Sequence, residues 1–158
     1  MTVTSAQGLE GVVAKRLGSR YVPGRRSPDW RKIKHRADQE LVVGGWRRGT
    51  GHRSTTFGGL LLGHYEGDEL RFAGSVGSGF DQRRLDELHT WLQARPRAGC
   101  PFSPPPPRLY TSDATWVEPE LVVQVAFTEW TSDGLLRHPV FLGRRDDKDP
   151  RQVRRERR

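Results

Sequence analysis

Leu70-Arg71-Phe72-Ala73-Gly74-Ser75-Val76-Gly77-Ser78-Gly79-Phe80-Asp81-Gln82-Arg83-Arg84-Leu85-Asp86-Glu87-Leu88-His89-Thr90-Trp91-Leu92-Gln93 changes its apolar period part-way along. Residues 70–76 read as a strand, bounded by turn-forming glycines. From residue 81 the apolar positions are Leu85, Leu88, Trp91 and Leu92, at i, i+3, i+6 and i+7. That spacing puts them on one face of a helix over residues 81–93. Asp81 is the expected N-cap, because its carboxylate can accept from the exposed amides of the first turn. Pro96 lies just past the point where the pattern stops.

Strand patterns surround this switch. Residues 41–48 and 57–65 precede it, separated by Gly-Thr-Gly and followed by a Glu-Gly-Asp turn. A short strand near Trp116-Val117, a longer one over residues 121–130, and an apolar run over residues 136–142 follow it. Five short strands with one helix inserted after the third predict a mainly β protein, the five-stranded Greek-key barrel of the OB-fold. Another small barrel or sandwich fits the same pattern. Residues 96–108, with Pro101 and Pro104-Pro105-Pro106-Pro107, are expected to form an extended covering loop rather than a recognition peptide. Residues 151–158 are expected to be a disordered basic tail, since one valine among charges offers little to bury.

The front of the chain differs in texture. Residues 9–16 and 29–35 read as two short strands, and the eleven residues 18–28 between them carry two prolines and two glycines. Residues 10–36 hold nine basic and two acidic side chains, and residues 143–158 hold eight and four. The whole chain has 27 Lys+Arg against 19 Asp+Glu, so the excess of +8 sits at its two ends. Such a balance favours a polyanionic partner. With 158 residues the chain can bury one ordinary core plus an appendage. Cys100 is the single cysteine, which excludes an intrachain disulfide and a cysteine-based zinc site. The first residues lack a basic start and an apolar run, and no apolar stretch approaches bilayer length, so a cytoplasmic location and no membrane partner are expected.

Three short pieces carry chemistry. Glu10-Gly11-Val12-Val13-Ala14-Lys15 by itself fits an edge strand with solvated charges. In Trp30-Arg31-Lys32-Ile33-Lys34 the two lysines are two residues apart, so on a strand both ammonium groups share a face. They repel unless an anion sits between them, and a phosphate would serve. Arg145-Asp146-Asp147-Lys148 brings a fork donor, carboxylates and a point cation to the end of the strand Val140-Phe141-Leu142-Gly143. Those are parts that grip a polyphosphate and its metal.

Taken together the three pieces resemble motifs IV, V and VI of the ATP-dependent DNA ligases, in that order, with the bacterial ligase D type of non-homologous end joining as the nearest likeness. The likeness extends through Tyr21, Gly24, Arg26-Ser27, Phe57-Gly58-Gly59-Leu60-Leu61-Leu62-Gly63, Gly74-Ser75-Val76-Gly77-Ser78-Gly79-Phe80 and Trp116-Val117-Glu118-Pro119. It covers about residues 9–150. Arg144 stands where the family usually has leucine, and Asp146 where it often has glutamate. The resemblance implies that residues 1–36 are the C-terminal remnant of an adenylation (nucleotidyltransferase) domain and that residues 37–150 are an OB-fold domain ending in motif VI. It implies ATP and Mg2+ as cofactors of the complete enzyme, and DNA nicks or double-strand ends as partners. Glu10 would hold the metal, and Lys15, Lys32 and Lys34 would meet the nucleotide, the latter two at its α-phosphate. Arg145, Asp147 and Lys148 would orient the β,γ-phosphates, as a transferring phosphoryl group requires.

The family's nucleophile sits in Lys-x-Asp-Gly. None of Lys15, Lys32, Lys34 and Lys148 is followed by x-Asp-Gly. These residues alone are therefore expected not to form lysyl-AMP and to need an upstream adenylation-domain polypeptide. A stand-alone OB-fold DNA-binding module, using its basic ends and exposed aromatics such as Trp46 or Phe80, is the alternative. An mRNA capping enzyme shares motifs IV and V and the barrel, but the stretches around residues 76–80 and 121–142 favour a ligase.

Overall fold

The computed structural model describes residues 11–20, 22–25, 27–34 and 36–156, the side chain of Lys34 excepted. Two compact units emerge, Met1–Arg36 and Ala37–Arg158.

In the first unit β1 (Gly11–Lys15) pairs antiparallel with β2 (Trp30–Lys34), Val13 opposite Lys32 and Lys15 opposite Trp30. The connecting loop doubles back at Gly18 and Gly24, both at positive φ that glycine adopts without strain. Arg16 N–H donates to the Asp29 carbonyl at 2.8 Å, and the Trp30 indole donates to Ser19 Oγ at 3.1 Å. Val13 and Ile33 remain 53% and 40% exposed. Two strands with so little apolar cover are marginal in water on their own.

The second unit is built on β3 (Ala37–Arg48), which pairs with both β4 (Phe57–Glu66) and β6 (Ala114–Phe127). With β5 (Glu69–Val76) and β9 (Val140–Arg144) they form an antiparallel sheet ordered β5-β4-β3-β6-β9. The two edges meet where Phe141 N–H donates to the Ser78 carbonyl at 2.9 Å and Ser78 Oγ donates to the Pro139 carbonyl at 3.2 Å. Gly79 makes that approach possible: its φ is +92°, and a Cβ there would lie against the Phe141 carbonyl oxygen. Helix α1 (Gln82–Gln93) follows the third barrel strand, as the change of period predicts. Asp81 caps it, accepting from Arg84 N–H at 2.8 Å. Leu85, Leu88 and Leu92 of α1 plug a core made of Leu41, Val43, Phe57, Leu60, Leu62, Val76, Val123 and Val125.

Leu41-Val42-Val43 reads as an unbroken apolar run because both faces of β3 are covered. Leu41 and Val43 enter the barrel core, while Val42 packs outside it with Leu61, Tyr65, Phe102 and Val122. The proline-rich segment supplies Phe102 to that outer cluster, so it covers the sheet as expected. It then leads into the single turn α2 (Arg108–Thr111).

Four expectations need correction. Trp46 and Phe80, expected to be exposed, are partly buried against the barrel core, with Phe80 stacked on Phe141. Residues 114–127 form one strand rather than two: Val43 faces Leu121 and Gly45 faces Trp116, so residues 117–120 bulge out. Pro119 is tolerated there because its missing N–H has no ladder partner to lose. The strand stops at Phe127, and β7 (Glu129–Trp130) instead pairs with β8 (Leu136–Arg137) in a small hairpin. The basic tail is ordered through Glu156. Val153 is 1% exposed, its carbonyl accepts from Tyr65 N–H at 2.8 Å, and the buried Gln39 amide bonds the backbone of Arg154 and Glu156. One apolar anchor and a buried amide that needs partners outweigh the charge of the segment. Arg151 stacks over Tyr65 and Arg155 over Trp130. Among the described residues, no helix is long and apolar enough to cross a membrane.

Candidate functional site

The cations singled out from sequence fall into two sets, one on each unit. On the hairpin, Lys15 and Lys32 lie on one face by the pairing of Lys15 with Trp30 and Val13 with Lys32. Lys15 Nζ sits 4.2 Å from the centre of the Trp30 ring, whose face attracts it. Lys34 is placed by its backbone opposite Gly11, and its side chain lies outside the described residues. Glu10, the expected metal holder, also lies outside them. Among the described residues no three His, Cys, Asp or Glu side chains gather as a metal site.

The second set is more tightly built. Beyond β9 the chain turns back, and Arg145 N–H donates to the Val122 carbonyl of β6 at 2.9 Å. The Arg145 guanidinium makes a two-pronged contact with Asp147, Nε to Oδ1 and Nη2 to Oδ2, both at 3.0 Å. This contact raises the Arg145 pKa and lowers that of Asp147, so both stay charged. Lys148 is three residues further on and joins the same group. Arg145, Asp147 and Lys148 are thus brought together.

What holds them together was not among the expected residues. Glu40 of β3 offers Oε1 to Arg145 Nη1 at 2.9 Å and Oε2 to Lys148 Nζ at 3.1 Å. Gln124 of β6, which pairs with Glu40 across the sheet, accepts from Arg145 Nη1 at 3.2 Å. A signal for both was present. Gln124 is the one polar residue in Leu121-Val122-Val123-Gln124-Val125-Ala126-Phe127, and strand parity turns it away from the core alongside Val122. Glu40 has the same parity relative to Leu41 and Val43. Neighbouring Arg144 pairs with Asp146 at 2.7 Å, and its guanidinium carbon is 5.8 Å from the Trp91 ring centre.

The family model described as "ATP dependent DNA ligase C terminal region" matches residues 53–148, ending on the last residue of this cluster. The chain belongs to that family. Among its relatives, LigD of Mycobacterium tuberculosis, a multifunctional non-homologous end joining DNA repair protein, is 46% identical over 149 residues. The alignment takes in 94% of this chain and 20% of the mycobacterial protein. LigD of Pseudomonas aeruginosa is 42% identical over 95% of this chain and 18% of its own length. The chain therefore spans about a fifth of these curated relatives. The crystal structure of the ligase domain of M. tuberculosis LigD superposes with a TM-score of 0.75 at 43% identity, covering 98% of this chain and 50% of that one. A mycobacterial DNA ligase D complexed with ATP and MES matches with a TM-score of 0.67 at 42% identity, covering 98% of this chain and 50% of that one. This ligase C-terminal region accordingly has the OB-fold barrel that its strand pattern predicts.

Proposed function

We propose that this chain supplies the phosphate-gripping and DNA-binding C-terminal part of an ATP-dependent DNA ligase acting in end joining. The observation that carries the reading is the Arg145-Lys148 pair at the end of β9, whose two cations converge on the two oxygens of one carboxylate. Cations spaced for a single oxyanion are suited to the β,γ-phosphates of ATP. In this reading Arg145 and Lys148 hold those phosphates as they leave during adenylation, and Asp147 keeps the guanidinium fork oriented. Lys32 and Lys34 neutralise the α-phosphate, with Lys15 beside them, and Glu10 contributes to a Mg2+ site. The divalent ion would supply charge neutralisation when bound.

The lysine that accepts AMP comes from a separate Lys-x-Asp-Gly segment, because these 158 residues contain none. The barrel and the basic ends bind the DNA phosphates at a nick or double-strand end. Positive charge concentrated at the two ends supports this, since each phosphate contact releases a counterion.

Nick sealing by the chain, alone and mixed with a Lys-x-Asp-Gly adenylation segment, tests the proposal. Sealing is expected only with both parts, and Arg145→Ala should lower its rate by roughly a hundredfold, the scale of losing one donor to a transition-state oxyanion. Salt-dependent DNA binding with no sealing in the mixture would favour the non-catalytic binding module. An acid-stable AMP adduct on the chain alone would overturn the division of labour.

A further inference from the structure

Glu40 belongs to none of the recognised motifs, yet it is the best sheltered member of the motif VI cluster. Its side chain is 18% exposed, against 37% for Arg145, 33% for Lys148 and 70% for Asp147. It projects from β3, the central strand of the barrel, where its backbone pairs with Gln124 of β6, so its carboxylate has a paired strand beneath it. The cations reach it from a turn beyond the last strand. Arg145 and Lys148 against Glu40 and Asp147 sum to no net charge, so the cluster as built has no unbalanced cation to offer an anion. Asp147 hydrogen-bonds Arg145 and meets Lys148 only through its charge, whereas Glu40 makes an ion pair to each cation with a separate oxygen.

We infer that Glu40 is a positioning residue that occupies the phosphate seat of motif VI, and that a polyphosphate engages Arg145 and Lys148 by displacing its carboxylate. The inference rests on the proposed role of those two cations. Its physical content is a competition: one carboxylate with two oxygens stands where phosphate oxygens would stand, and both need the same donors. Glu40 then does two things. It keeps the two side chains gathered when no polyphosphate is present, and it lowers their affinity for stray phosphate. A purely structural ion pair would behave in the opposite way, since neutralising Glu40 would scatter the cations and weaken binding.

The test is calorimetric titration of the full chain with inorganic tripolyphosphate at low and high salt. Glu40→Gln keeps the shape of the side chain while removing its charge and replacing one acceptor oxygen with an NH2 donor. It is expected to bind on the order of tenfold more tightly, the scale of two partly exposed ion pairs relieved together. Glu40→Asp restores the charge and should return affinity to within about twofold of the parent. The gain should shrink as salt is raised, because exposed charges are screened. The double variant Arg145→Ala with Lys148→Ala separates the two layers. If it binds tripolyphosphate as well as the parent does, the phosphate role of motif VI fails. If it loses binding while Glu40→Gln binds no more tightly than the parent, the inference about Glu40 fails and the phosphate role stands. No detectable binding by Glu40→Gln at low salt also overturns the inference.

Discussion

The hairpin of the first unit and the barrel of the second both present cations, but they support them differently. On the hairpin, Lys15 and Lys32 ride on two strands whose apolar residues Val13 and Ile33 are 53% and 40% exposed. On the barrel, Arg145 and Lys148 are tied to β3 and β6, whose inner residues are fully buried. A charged group can be placed accurately only as well as the backbone beneath it is packed. The hairpin has little apolar cover beneath its cations, whereas the barrel carries its own support.

Amide exchange should expose this contrast most strongly. Protection in residues 121–127 should exceed that in β1 by at least about a thousandfold, because core strands open only with global unfolding while an isolated hairpin frays. Comparable protection in the two would break the comparison. Chemical denaturation comes next: Leu88→Ala, removing a helix side chain that plugs the barrel, should cost about 3 kcal/mol. Val13→Ala, half exposed on the hairpin, should stay within about 0.5 kcal/mol. Val153→Ala sharpens where the barrel ends. A loss of about 1.5 kcal/mol, two buried methyl groups, would mark the basic strap as part of the core, and no loss would return it to the status of a tail.

The smallest effect concerns pH. Burial holds the His64 imidazole below its ordinary pKa of 6.5, with Arg155 acting in the same direction. The unfolded chain takes up a proton as pH falls through that value while the folded chain does not, so stability is full above it and declines below. His64→Gln should flatten the decline seen in melting between neutral and mildly acidic pH, and a decline that persists unchanged would assign it to other groups.

Legibility followed the range of the interaction involved. The α1 helix and its Asp81 cap were readable because an i, i+3, i+7 stripe and an N-cap are set by residues a few positions apart. The motif VI residues were readable for the same reason, lying within four positions of one another. The joining of residues 114–127 into one bulged strand was not, since it depends on Gly45 of a distant strand facing Trp116. Nor was the fate of the tail, where composition predicted disorder and a single Val153 beside Tyr65 decided otherwise.

From sequence alone came the order of strands and helix, the family likeness, and the cations expected to face a phosphate. Tertiary structure decided which carboxylate those cations meet. Glu40 and Lys148 are more than a hundred positions apart in the chain, and only the pairing of β3 with β6, and of β6 with β9, brings them within 3.1 Å. Local patterns record what each residue can do, but a contact across a barrel exists only once hydrophobic burial has closed the sheet.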